Sequence, residues 1–286
     1  MNNASALQTM HAYYNRLATG SASQHYLSYF HQKYLAGKQD IEIGSFGSGG
    51  GHLERTLVEM GFQAKSIQGY ELNPTLVQSA NEKAAAMGAT HLSYQVADLN
   101  APKLAPRSID LGIFFHSLHH VTNLEICLGV VAEAIKDDGY LLIVDFVGKN
   151  YQQWSDEQIQ YATDFLRILP AKYRLSMDGK LVKTKPRRPS IKEVIAGDPS
   201  EAVRSEDILV TLEQYFERLE FKSLGGSILN HVFDGIANNF DETKEGDVRL
   251  IHLLQGLEEW LESEGYISPD FVFAVYRPLG RTRMAS

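Results

Sequence analysis

The stretch that most constrains this chain is Ile41-Glu-Ile-Gly-Ser-Phe-Gly-Ser-Gly-Gly-Gly51, followed at once by His52-Leu-Glu-Arg-Thr-Leu-Val-Glu-Met60. Ile41 and Ile43, with Glu42 between them, read as the end of a buried strand, and Leu53, Leu57 and Val58 fall on one face of a helix. Between the two, Gly44, Gly47, Gly49, Gly50 and Gly51 let the backbone turn sharply and present bare N–H groups at a helix N-terminus. Strand, glycine loop and helix make the first turn of a nucleotide-binding βαβ unit. A glycine turn that holds no ligand has the same letters, so the rest of the chain decides.

The alternation continues. Ile67 to Glu71 reads as a second strand, and an acid about 20 residues beyond a glycine loop is placed to accept hydrogen bonds from ribose hydroxyls. Asn73-Pro74 starts a helix, with proline in its first turn, that runs through Leu76, Val77 and Ala80 to a cap at Gly88. A third strand, His91 to Asp98, ends in a carboxylate that either accepts from an exocyclic amine or caps a turn. The fourth, Ile109 to Phe115, runs straight into His116-Ser-Leu-His-His120. The next helix carries Leu124, Ile126, Cys127, Val130, Val131 and Ile135, and is expected to stop at Lys136-Asp-Asp-Gly139. Tyr140 to Val147 is then the fifth strand. Strands and helices alternating at these lengths specify an α/β fold, a parallel sheet wrapped on both faces.

With these anchors in order, the chain resembles the class I S-adenosylmethionine (SAM)-dependent methyltransferases. Residues 37–148 carry the resemblance, and the later strands follow it more loosely. It implies a Rossmann-like seven-stranded, mostly parallel sheet and SAM as cofactor, with S-adenosylhomocysteine as product. Glu42-x-Gly44 and the glycines to Gly51 look like the family's first motif, which wraps the methionine part of SAM, so that Glu42, Gly44, Ser45, Gly47 and Gly49 are cofactor contacts. Glu71 with Leu72 looks like its ribose acid, Asp98 with Leu99 its adenine contact, and Asp138-Gly139-Tyr-Leu-Leu-Ile-Val its fifth-strand hallmark. Phe115 and Tyr14 complete the expected cofactor set. Phe46 departs from the family spacing as an apparent extra residue. A NAD-binding reading gives no reason for the acids at Glu42 and Asp98.

Four segments are expected: a helical cap over 1–36, the SAM-binding core over 37–148, an inserted acceptor lid over 149–204, and the rest of the core sheet over 205–280. In the first, Tyr13, Tyr14, Tyr26, Tyr29, Phe30 and Tyr34 recur at spacings near three and four, as a packed amphipathic stripe or a lid over ligand. In the third, Lys172, Arg174, Lys180, Lys183, Lys185, Arg187, Arg188 and Lys192 crowd together, either as a solvated loop or as a site for an anionic acceptor. Arg204, before a helix expected over Glu206–Phe216 and capped by Ser205, either grips the acceptor or pairs with Glu201 or Asp198. Phe221 to Leu229 is expected as the sixth strand and Phe271 to Tyr276 as the last, with His231 a further acceptor contact.

The chain has 286 residues, 44% of them hydrophobic, and a formal net charge of −8. That acidity argues against a general nucleic-acid surface. One cysteine, Cys127, excludes an intrachain disulfide and any multi-cysteine metal site. No run approaches membrane-spanning length and no leader pattern opens the chain, so a soluble cytoplasmic protein, monomer or homodimer, is expected.

Methyl transfer to oxygen or nitrogen needs a base, and His116, His119 and His120 follow the strand where the family places acceptor-facing residues. His119 or His120 is the expected base. His116 and His120 have the four-residue spacing of metal ligands, but no carboxylate lies nearby in sequence, so no metal is expected. The leading reading is a SAM-dependent methyltransferase of a small, anionic or polyhydroxylated metabolite. The alternatives are a methyltransferase of a peptide, protein or RNA, and a SAM-binding module without catalysis.

Overall fold

The computed structural model describes residues 2–280. In chain order the helices and strands are α1 (Gln8–Thr19), α2 (Tyr26–Tyr34), β1 (Ile41–Phe46), α3 (His52–Glu59), β2 (Ala64–Glu71), α4 (Pro74–Ala86), β3 (Leu92–Val96) and β4 (Ile109–Phe115). Next come α5 (Leu124–Ala134), β5 (Ile135–Phe146), α6 (Asp156–Ile168), α7 (Ile191–Gly197), α8 (Ile208–Tyr215), β6 (Phe216–Ser223), α9 (Leu229–Phe233), α10 (Glu245–Ser263) and β7 (Phe271–Pro278). Among the described residues no helix is long and apolar enough to cross a membrane.

The chain divides into two compact units, each gathered from three segments. The sheet unit takes Leu27–Val147, Ser200–Lys222 and the chain from Val272; the helical unit takes the N-terminal segment to Tyr26, Gly148–Pro199 and Ser223–Phe271. This redraws the expected segments. The 1–36 cap is split, with α2 going to the sheet unit. Of the 149–204 insertion, the part up to Pro199 falls in the helical unit and Ser200–Arg204 in the sheet unit, and much of 205–280 joins the helical unit.

The sheet has seven strands in the order β3-β2-β1-β4-β5-β7-β6, and the ladders β1–β2, β1–β4, β2–β3 and β4–β5 are parallel. Strand order reverses between β1 and β4, and the crevice beyond the carboxyl ends at such a switch point is where α/β sheets bind ligands. Burial follows from sequence. β4 and β5 are near-continuous apolar runs because helices cover both faces, and Ile113, Phe114, Leu141, Leu142 and Ile143 are fully inaccessible.

β5 starts five residues earlier than expected, directly after α5, so Gly139 does not cap a helix. Ile109 pairs with Ile135 but Leu111 with Tyr140, which leaves three extra residues on β5. Lys136 reaches back to Asp110 at 2.8 Å. A side chain at Gly139 would lie 2.9 Å from the Asp110 carbonyl, so glycine is needed there for close backbone approach. β6 likewise begins at Phe216, earlier than the expected Phe221. Ser205 opens a short 3-10 turn, Ser205–Asp207, that precedes α8, and the residue at the N-cap position of α8 is Asp207.

The helical unit has its own core, built from Leu7, Met10 and Tyr13 of the N-terminal segment, Phe165 and Leu166 of α6, Val232 and Phe233 of α9, and Ile251 and Leu254 of α10. α6 opens with a capping box, Ser155 Oγ accepting from the Gln158 N–H while Gln158 accepts from the Ser155 N–H. Glu258, fully buried on α10, accepts from the N–H groups of Ile228 and Leu229 and from the Tyr13 hydroxyl. These bonds offset the desolvation of a buried acid.

Candidate active site

The loop after β1 has its frame three residues later than the sequence suggested. The alternate residues with positive φ are Gly47, Gly49 and Gly51, at 74°, 53° and 74°. Phe46 is not an insertion but the last residue of β1, 1% exposed and stacked on Tyr70. Gly44 therefore lies inside the strand, where a side chain would meet Ile109. Glu42 lies further back on the same strand. Near the amino end of β1, five residues before Gly47, its carboxylate accepts from Ser66 Oγ and pairs with Lys65 at 2.9 Å. The acid beside the loop is Glu54 of α3, fully buried, which accepts from Ser45 Oγ.

The glycines of this loop have different causes. A side chain at Gly51 would collide with the Tyr94 ring, and one at Gly47 would come within 2.5 Å of Ser117 Cβ. Gly49 and Gly50 meet nothing within 4 Å and border open space. Glu71, at the end of β2, accepts from the Gly49 N–H at 2.9 Å through one carboxylate oxygen and from the Asn73 N–H at 2.9 Å through the other. Each oxygen keeps a lone pair for a further donor. Leu72 beside it is 63% exposed, an apolar ledge at the sheet edge. Asp98, beyond β3, takes both Asn100 donors on Oδ1, and Leu99 packs against the core. Ser48 Oγ is buried on the same loop and has no partner among the described residues. A diol at Glu71, an apolar ring at Leu72 and a polar chain beside Ser48 Oγ all find complementary groups here.

β4 supplies the second half. At His116 the backbone takes φ of 52°, turning the chain off the strand. Its exposed ring sits edge-on to half-buried Phe115. The turn from Ser117 to His119 is organised by a residue that the sequence motifs do not single out. Asp145 of β5, completely buried, accepts from the Ser117 N–H (2.9 Å) and Leu118 N–H (2.7 Å) on Oδ2. Its Oδ1 takes the Phe146 N–H (2.8 Å) and His119 Nδ1 (2.5 Å). Burial opposes its charge, but the hydrogen bonds from His119 and the Ser117 N–H help to outweigh it and hold this carboxyl below the usual carboxylate range. Its signal in the sequence is one acid within Leu-Leu-Ile-Val-Asp-Phe, since a charge in a buried strand must have partners.

His119 is buried, and its ring lies 4.1 Å from that of His120. The loop at 200–207 closes on the pair. Ser200 Oγ is 3.1 Å from His120 Nδ1, and Glu201 Oε1 is 3.9 Å from His119 Nε2. One ligand-capable atom from each of His119, His120 and Glu201 lies within 4.8 Å of the others. Arg204 does not point a free fork at an acceptor. It holds Glu125 through two 2.8 Å bonds, Asp207 at 2.8 Å and the Thr122 carbonyl, so it pins this loop to the start of α5.

The remaining expected contacts lie in the helical unit. Tyr14 donates to Asn230 at 3.4 Å. His231 is buried edge-on to Trp154, and burial with the charge of Lys183 pulls it down to about 4, so it is neutral. Arg187 pairs with Glu193 and Arg188 with Asp156. Lys183 donates to the carbonyls of His231 and Asp234, and Arg174 to that of Leu169. These four of the eight basic residues are thus engaged locally.

A family model described as a methyltransferase domain matches residues 41–190, 150 of the 286 residues. No curated protein sequence matches the chain. Among solved structures, the fold is similar to geranyl diphosphate methyltransferase in complex with SAM, at 12% identity and a TM-score of 0.54, over 88% of this chain and 84% of that one. It is similar to phosphoethanolamine N-methyltransferase 2 of Haemonchus contortus in complex with SAM, at 14% identity and a TM-score of 0.54, over 96% of this chain and 57% of that one. It is also similar to the [4+2]-cyclase SpnF, at 13% identity and a TM-score of 0.51, over 89% of this chain and 81% of that one.

Proposed function

The chain belongs to the family of methyltransferase domains, and from that premise we propose that it transfers the methyl group of SAM to an oxygen or nitrogen of a small, polyhydroxylated metabolite. What carries the reading is the joining of the two halves of the sheet-unit site. Ser117 fills the space left by Gly47 and donates its hydroxyl to the Phe46 carbonyl at 2.6 Å, so the glycine loop and the histidine turn are one piece.

SAM fits the first half. Glu71 would take the ribose hydroxyls, Leu72 would lie against the adenine, Asp98 would accept from its amine, and the loop from Gly47 to Gly51 would border the methionine part. When bound, SAM supplies an electrophilic methyl on a sulfonium and leaves as S-adenosylhomocysteine. The chain's task is alignment and exclusion of water, plus removal of the acceptor's proton. The cluster of His119, His120 and Glu201 meets that proton, with Asp145 holding the His119 ring in one orientation. The pairing of Arg187, Arg188 and Arg204 with acidic neighbours favours a neutral, hydroxyl-rich acceptor over a strongly anionic one.

The test is thermal unfolding with SAM, S-adenosylhomocysteine, NAD or no ligand, followed by methyl-transfer assays on sugars and polyols. A ligand that binds only the native state raises the midpoint by mass action. SAM and S-adenosylhomocysteine should raise it and NAD should not. A rise with NAD alone, or none with any ligand, would refute the cofactor assignment.

A further inference from the structure

We propose that His119, His120 and Glu201 bind a divalent first-row transition-metal ion, with Asp145 as the carboxylate behind the site. Four independent features of the sheet unit carry this. First, one donor atom from each of the three lies within 4.8 Å of the others. Around a tetrahedral ion with bonds of about 2.1 Å, donor atoms stand about 3.4 Å apart. The 3.9 Å from His119 Nε2 to Glu201 Oε1 is already close to that. Glu201, 26% exposed, has room to close its share of the remaining contraction, and a turn of the half-buried His120 ring would supply the rest.

Second, His119 is presented as a ligand. An ionised carboxylate only accepts, so Asp145 Oδ1 places the ring proton on Nδ1 and the lone pair on Nε2. A carboxylate behind a histidine, itself anchored by backbone N–H groups, is the arrangement that orients metal-bound imidazoles and raises their basicity. Third, Ser200 positions the His120 ring, and Arg204 fastens the loop that carries Glu201 to Glu125 and Thr122. The third ligand is therefore held from outside the cluster, 81 residues along the chain from His120. Fourth, the donor set selects the ion. Two imidazoles and one carboxylate suit zinc, iron, cobalt, nickel or manganese, whereas magnesium and calcium prefer oxygen throughout.

Three protein ligands leave coordination positions open, as in catalytic rather than structural sites. A ligand bearing two neighbouring oxygens, such as a vicinal diol or an α-hydroxy acid, would fill them, and the ion, in place of a free imidazole base, would make the acceptor hydroxyl easier to deprotonate. That last step rests on the methyl-acceptor reading above; the metal site does not.

The test is titration of the untagged, chelator-treated protein with Co²⁺, read by its visible ligand-field bands, and with Zn²⁺ by calorimetry, both without SAM. One equivalent of Co²⁺ should give bands of a four- or five-coordinate site. Glu201→Gln and His120→Ala, both at half-exposed positions, should weaken Zn²⁺ binding at least tenfold while keeping the far-ultraviolet dichroism of the native chain. Asp145→Asn should weaken it by about 10–100-fold, the usual effect of losing such a partner. Absence of a saturable one-to-one Co²⁺ signal, or Zn²⁺ affinity unchanged in Glu201→Gln, would overturn the site. A protein that binds Co²⁺ here but shows no thermal shift with SAM would refute the methyl-transfer reading alone. One that binds SAM but not Co²⁺ would refute the metal alone.

Discussion

Replacing Asp145 with asparagine changes one buried oxygen to an NH₂ group, and the hydrogen bonds around it determine the consequence. Oδ2 takes the Ser117 and Leu118 N–H groups, and Oδ1 takes the Phe146 N–H and His119. Turning the NH₂ toward Oδ2 would face it against two backbone donors that cannot change. Toward Oδ1 it faces one such donor, Phe146, and an imidazole that can change tautomer. The second orientation should win. Its direct cost is one buried unpaired N–H, about 1–3 kcal/mol, plus the loss of a charge-assisted bond of similar size. The expected destabilisation is therefore about 2–6 kcal/mol. Chemically, the substitution moves the His119 proton from Nδ1 to Nε2, the nitrogen that faces Glu201. Denaturant unfolding would measure the first effect, and ¹⁵N ring shifts of labelled histidine the second. The sign with pH comes from the depressed Asp145 carboxyl. Its contribution is complete above the unfolded value of about 3.9 and is lost as pH falls through the folded one, so the variant should lose less stability on acidification. A destabilisation below about 0.5 kcal/mol, or a His119 that keeps its Nδ1 proton, would refute the reasoning.

Glu71→Ala should weaken SAM binding by about 1–3 kcal/mol through lost charge-assisted hydrogen bonds, measured by calorimetry; unchanged affinity would sink the ribose assignment. Gly51→Ala should cost about 1–3 kcal/mol of stability, because φ of 74° and the Tyr94 ring both oppose a side chain. Gly50→Ala, facing open space, should leave the unfolding midpoint in place and lower SAM affinity; the reverse pattern would mean that ligand lies elsewhere. Asp270 is buried beside Gln158 and its carboxyl is pushed up to about 7, chiefly by desolvation. A raised carboxyl binds its proton more tightly in the folded state, so stability should fall as pH rises between about 4 and 7, and Asp270→Asn should flatten that slope.

The sheet's strand and helix alternation was legible because each element carries its own period, and Glu71 because its distance from the glycine loop is fixed by one βαβ turn. The frame of the loop was not. Phe46 looked like an intruder among glycines because its partners, Tyr70 and Phe114, come from other strands. The histidine cluster was seen without its carboxylates for the same reason. Asp145 hides in an apolar run, and Glu201 arrives from beyond a segment that belongs to another unit. The arginines were visible as charges, but their acidic partners are set by packing: Glu125 meets Arg204 across 79 residues. Residues 223–271 read as ordinary α/β chain because amphipathic helices look alike whichever core they cover.

The strand order carries a consequence for biosynthesis. β6 lies at the sheet's edge with β7 as its single neighbour among the described residues, and β7 is made well after it. Forty-seven residues separate Ser223 from Phe271. At roughly 5–20 residues per second, β6 waits for some seconds on the ribosome before the strand it pairs with exists. An unpaired strand is a template for aggregation. β6 reads Phe-Glu-Arg-Leu-Glu-Phe-Lys-Ser, four of its eight residues charged, and charge along a temporarily naked edge keeps other chains off it until β7 slides in beside β5.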